Sequence, residues 1–141
     1  MPVGWASVYS HTMITHAWTP LIIIHASSAG LALVLGAWVL WKPKGTRAHR
    51  MGGRVWVLLM ALVALSSLGI YRETYSWIHA LSFWTLAVLP YGVVLARKGQ
   101  VAKHKFTMRS LYIGALVIAG LFTLLPQRLL GQAVWGFFSG A

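Results

Sequence analysis

The sequence has no cysteine, and a single acidic residue, Glu73, among its 141 residues. Without cysteine there is no disulfide, thiolate metal centre or iron–sulfur cluster to build. With one carboxylate there is no acid pair for general acid–base work. Glu73 follows Arg72 in the short stretch "YRETYS", where a solvated loop charge is the plain reading. Charge of either sign is scarce: Asp, Glu, Lys and Arg make up 9% of the chain, against about 25% in an ordinary soluble domain. What charge exists is nearly all positive, 12 Lys and Arg for a formal net charge of +11. No nucleophile–base constellation, phosphate-cradling glycine loop or zinc motif occurs, so hydrolase and transferase chemistry finds no support. Residues 1–19 lack the basic start and clean apolar run of a signal peptide.

What the chain does have is apolar surface. Hydrophobic residues make up 58% and the mean hydropathy is +0.70, too apolar for water to cover. A spanning helix needs roughly 20 mostly apolar residues. Four segments qualify, at about 21–41, 51–71, 75–96 and 106–125. The expected fold is an all-α membrane protein, a four-transmembrane-helix bundle forming a single domain over residues 1–141. Segments 1–20 and 126–141 carry Trp and Phe but are broken by Pro, Gly and polar residues, so they are expected to lie along the outer interface. Five Lys/Arg fall between Lys42 and Arg54, and five more between Arg97 and Arg109. Their excess is expected to place both loops in the cytoplasm and both termini outside, in a multi-pass membrane protein. Basic clusters that flank apolar spans suit anionic lipid better than nucleic acid. Trp18, Trp41, Tyr71, Trp77 and Tyr112 sit near span ends, as interfacial aromatic belts do.

The spans come as two copies. "IHASSAGLALVLGAWVLWKPKG…HR" aligns with "IHALSFWTLAVLPYGVVLARKG…HK", so that Ile24-His25-Ala26 corresponds to Ile78-His79-Ala80 and Lys44-Gly45 to Lys98-Gly99. His49 corresponds to His104 after a one-residue insertion. Each copy is a helical hairpin, and both have the same orientation, which is a parallel repeat about an axis along the membrane normal.

Four of the six histidines occupy equivalent places in the two copies. His25 and His79 lie about one turn inside the outer ends of spans one and three. His49 and His104 lie at the inner mouths of spans two and four. From His25 to Trp41 a helix descends on the order of 24 Å, so the four form an outer pair and an inner pair. Histidines facing each other across a bundle core can ligate a haem iron axially. Below His25, the positions on its own face are Ala29, Ala32 and Gly36, and beyond His49 come Gly52 and Gly53, all small. Haem propionates need cations, and Arg47, Arg50, Arg54, Lys103, Lys105 and Arg109 are at hand for the inner pair. The outer pair has only Arg72 and Arg128. Against this stand plainer readings: small residues let helices pack closely, and histidines in basic loops meet lipid headgroups. His11, Met13 and His16 could hold copper loosely, but two histidines and one methionine suit an ordinary interfacial segment better than a copper site.

The motifs Gly45-x-x-x-His49-Arg50-x-x-Gly53-Arg54 and His104-x-x-x-Met108-Arg109-Ser110, with the early His25, resemble a bacterial predicted-membrane-protein family, domain of unknown function 2306. The resemblance covers roughly Leu21 to Leu125. It implies four spans and no established activity. The histidine layout is also similar to transmembrane di-haem cytochromes of the b561 type, in which alternate helices of a four-helix core supply one histidine pair per haem. That resemblance implies ligand pairs His25/His79 and His49/His104; for the inner pair, Arg50, Arg54 or Arg109 is expected near the propionates.

The leading expectation is therefore an integral haem b protein, with one or two haems, that carries electrons across or within the membrane, coupled to quinone or to a larger membrane complex. Two other readings stay open. One is a non-catalytic accessory subunit that scaffolds a larger complex; the other is a quinone- or proton-handling protein whose histidines ligate nothing.

Overall fold

The computed structural model describes residues 19–70, 77–126 and 129–139. The His11/Met13/His16 stretch, Arg72, Glu73 and Arg128 lie outside them. The described chain forms helix α1 (Pro20–Trp41), α2 (Arg47–Gly69), α3 (Trp77–Arg97) and α4 (Val101–Ser110). Helix α4 runs on through a π-helical segment, Leu111–Ile118, into a last turn at Ala119–Thr123. A shorter helix, α5, covers Leu129–Ser139. Among the described residues four helices are long and apolar enough to cross a membrane, the fourth being the continuous Val101–Thr123.

Local signals set the ends. Pro20 occupies the first turn of α1, where its missing N–H costs nothing, and the Thr19 hydroxyl accepts from the Ile22 N–H at 3.3 Å. Thr46 caps α2 in the same way, accepting from the His49 N–H at 3.2 Å. Gly99 ends α3 with φ +71°. The Gln100 N–H donates to Leu95 and the Gly99 N–H to Ala96, which is the paired bonding of a Schellman stop. Gly45, its counterpart in the first loop, has φ +87°. The repeated Lys-Gly thus marks two turns that need a left-handed residue.

These caps move two span starts. Apolarity places them near residues 51 and 106, but α2 starts at Arg47 and α4 at Val101. Backbone hydrogen bonding does not require apolar side chains, so the helices extend through the basic segments, α2 back to its Thr46 cap and α4 back to the Gly99 turn. His49, Arg50 and His104 therefore stand in first helical turns, held by backbone geometry.

Helix α1 packs on α2, α2 on α3 and α3 on α4, and the π segment touches both α1 and α3. The result is a closed ring of antiparallel neighbours in which α1 faces α3, and α2 faces α4, across the diagonals. Ala32, Trp56, Met60, Leu89, Leu111 and Leu116 fill the centre. Leu31, Val34, Leu58, Phe83 and Leu121 are exposed, as an apolar exterior must be where lipid is the solvent. Among the described residues four polar side chains are buried, Ser28, Ser66, Ser82 and Thr85. Ser28 and Ser82 are repeat equivalents, each three residues after a repeat histidine. Among the described residues no buried side-chain nitrogen or oxygen lacks a partner.

Candidate functional site

His25, His49 and His104 make the same kind of bond. His49 Nδ1–H donates to the Val39 carbonyl of α1 at 3.2 Å. His104 Nδ1–H donates to the Gly92 carbonyl of α3 at 2.8 Å. His25 Nδ1–H points between the Val63 carbonyl and the Ser66 hydroxyl of α2, both at 3.0 Å. A carbonyl oxygen only accepts, so its partner fixes the proton on Nδ1 and leaves the Nε2 lone pair for another ligand. Histidines that bind metals are oriented by this kind of hydrogen bond.

His49 and His104 come together across the α2/α4 diagonal. Their ring centroids are 6.4 Å apart and their planes are at 89°. With ring nitrogens about 1 Å from each centroid, the closest approach of two of them is roughly 4 Å, too far for a direct hydrogen bond. The gap suits one shared metal ion: two metal–nitrogen bonds of about 2 Å each put the centroids roughly 6 Å apart.

The two rings line a cavity of about 640 Å³, within the size range of small-molecule and cofactor sites. Its walls are apolar, with Val57, Val93 and Met108 among them, and Gly53 contributes open space, since nothing lies within 4 Å of where its side chain would start. Lys44, Arg50, Arg54, Arg97, Lys105 and Arg109 also line it. Arg47 and Lys103 do not. Lys44 Nζ is held by the Leu40 carbonyl at 2.7 Å.

Trp56 and Tyr112 also line this cavity, and their roles were not evident from pattern alone. The Trp56 indole N–H donates to the Ala32 carbonyl at 3.0 Å, and the Tyr112 hydroxyl to the Leu33 carbonyl at 3.0 Å. A side chain added at Gly36 would meet the Trp56 indole at 2.5 Å and the Tyr112 ring at 2.7 Å. The small-residue face of α1 is thus taken up by these aromatics at Ala32 and Gly36. Gly52, likewise, lets Trp38 and Val39 approach, since a side chain there would meet each at 2.8 Å. It therefore serves the α1–α2 contact, and of this glycine pair Gly53 opens onto the cavity. Tyr112 is no belt residue: with α4 starting at Val101 it lies well inside the span, in the π segment. A tryptophan in mid-span, away from the belts, was the available signal for Trp56, because its N–H must find an acceptor in lipid.

His25 and His79 are both half-buried on α1 and α3. Neither lines the His49/His104 cavity. The structure brings the inner pair together with Arg50, Arg54 and Arg109, and ties His25 to α2.

The chain matches the family described as predicted membrane protein (DUF2306) over residues 22–135. It belongs to that family. The match covers the four spanning helices and reaches into α5, so the whole His49/His104 cavity lies within it. No curated protein and no solved structure matches the chain. This DUF2306 member is a multi-pass membrane protein in a lipid bilayer.

Proposed function

We propose that this membrane protein is a haem b protein that carries electrons across or within the membrane, with His49 and His104 as the residues that would hold its iron. The observation that carries the reading is the ring pair: centroids 6.4 Å apart, on opposite helices of the bundle, each with Nδ1 anchored to a backbone carbonyl. The surroundings fit the group. The cavity is apolar around the rings, Gly53 adds open space, and Arg50, Arg54 and Arg109 are cations suited to propionate carboxylates. When bound, the haem supplies one-electron redox chemistry. The chain's part is to hold two neutral imidazoles in fixed tautomers, exclude water with apolar walls, and neutralise the carboxylates at the basic end.

The plainer alternative is a non-catalytic scaffold subunit. It is favoured by the fact that the Nδ1 bonds of His49 and His104 each tie together the two helices of a hairpin, a task that needs no cofactor. Absorption spectroscopy separates the two. Purified protein should show a Soret band that shifts on dithionite reduction. His49→Ala and His104→Ala should each abolish the same low-spin haem while the protein still elutes as a folded species. A parent that stays colourless, and gives no low-spin spectrum with added haemin, would favour the scaffold. Two haems per chain, falling to one in His49→Ala and to one in His25→Ala, would extend the reading to the outer pair His25/His79.

A further inference from the structure

A second groove runs along the lipid-facing side of the bundle between α2 and α3. Its volume is about 370 Å³. Val57 and Ala61 of α2 form one wall; Leu86, Pro90 and Val94 of α3 are on the other. Two features of sequence open it. Ala61 leaves room on α2. Pro90 stands inside α3, where it has no N–H for the Leu86 carbonyl and its ring pushes that carbonyl aside, the usual cause of a bend. One polar side chain lines the groove, Arg97, in the last turn of α3 at the basic end.

The length of the groove says what fits. From Leu86 to Arg97 the helix rises about 16 Å, close to half of a hydrocarbon core about 30 Å thick. An apolar slot that starts at a cation on the interface and ends near the midplane has the dimensions of one leaflet's acyl chain. The charge says which lipid. Lys98 follows Arg97, and the only acid of the chain, Glu73, belongs to the link at the other end of α3. Basic pockets between spanning helices are where anionic headgroups bind.

We propose that the α2/α3 groove is a binding site for one anionic phospholipid, its acyl chain lying along Val57, Ala61, Leu86 and Pro90 and its phosphate at Arg97. This goes beyond the haem reading and does not depend on it, although Val57, Val93 and Arg97 border both spaces. The site is distinct from the general attraction of basic loops for anionic lipid, because it has a slot for one tail.

Native mass spectrometry of the full chain, released from nanodiscs containing equal palmitoyl-oleoyl phosphatidylglycerol and phosphatidylcholine, tests this. One phosphatidylglycerol should stay bound in preference. Arg97→Gln should lower that preference about fivefold, the effect of one cation beside a lipid phosphate. Ala61→Phe, which fills the slot and leaves every charge in place, should lower retention of phosphatidylglycerol as well. Arg47→Gln, which removes an equal charge from a residue bordering neither space, should leave it unchanged. Equal retention of both lipids by the parent would overturn the proposal, as would equal losses in Arg47→Gln and Arg97→Gln, or a neutral isoprenoid as the retained molecule. Haem content, read on the same samples, reports separately on the haem reading.

Discussion

Gly36→Ala tests the packing that floors the His49/His104 cavity. Gly36 is buried on α1, and its added methyl would lie 2.5 Å from the Trp56 indole nitrogen and 2.7 Å from the Tyr112 ring. Carbon atoms rest at about 3.5–4 Å, so one or both aromatics must retreat by about 1 Å. Overpacking of this kind costs about 1–3 kcal/mol. If Trp56 yields, it also strains its hydrogen bond to Ala32, worth about 1 kcal/mol. Alanine's better helix propensity offsets up to about 1 kcal/mol, and a second substitution cancels that gain. Gly30 lies on the same helix with nothing within 4 Å of its would-be side chain. Gly36→Ala should therefore be about 2–4 kcal/mol less stable than Gly30→Ala. Reversible SDS unfolding in mixed micelles, followed by tryptophan fluorescence, measures the difference. Adding Trp56→Phe, which removes the nearest nitrogen, should recover part of the loss, so the two sites should couple in a double-mutant cycle. Equal stabilities for the two alanine variants would refute the placement of Trp56 and Tyr112 against α1.

The remaining expectations concern spectroscopy, turns and topology. With imidazole planes at 89°, frozen-solution EPR of the oxidised haem protein should give a single, strongly anisotropic low-spin feature; a three-line rhombic spectrum would contradict the ring geometry. Gly99→Ala forces a methyl into φ +71° and Gly45→Ala into φ +87°, so each should lower stability by about 1–2 kcal/mol in the same unfolding assay, and no loss in either would show that its turn is not left-handed. Tags at both termini should be accessible from the periplasm and a tag between Lys42 and Thr46 from the cytoplasm; termini labelled from opposite sides would break the four-span count, and both termini labelled from the cytoplasm would reverse the orientation.

Much of the fold was legible because its signals are local. A run of some 20 apolar residues must find lipid whatever it packs against, so the four spans could be counted from the chain alone. The Lys-Gly pair recurs at matching places in the two copies, and Thr46 and Gly99 bound helices through hydrogen bonds to residues a few positions away. The positions of His49 and His104 in the repeat put both histidines at one end of the bundle. Three things could be decided only by the tertiary structure. Which helices face across a diagonal depends on all four packing together, and that sets the 6.4 Å between the two rings. Which carbonyl holds each ring is another: His49 reaches 10 residues back and His104 reaches 12, one more than the single insertion in the second loop accounts for, so the acceptor in the second copy has also moved. The last is where the space is. Small residues at 29, 32 and 36 read equally well as a cofactor slot or as a seat for a neighbour, because a missing side chain does not say what replaces it; Trp56 and Tyr112, arriving from α2 and α4, take the seat at Ala32 and Gly36 and leave the cavity beside Gly53.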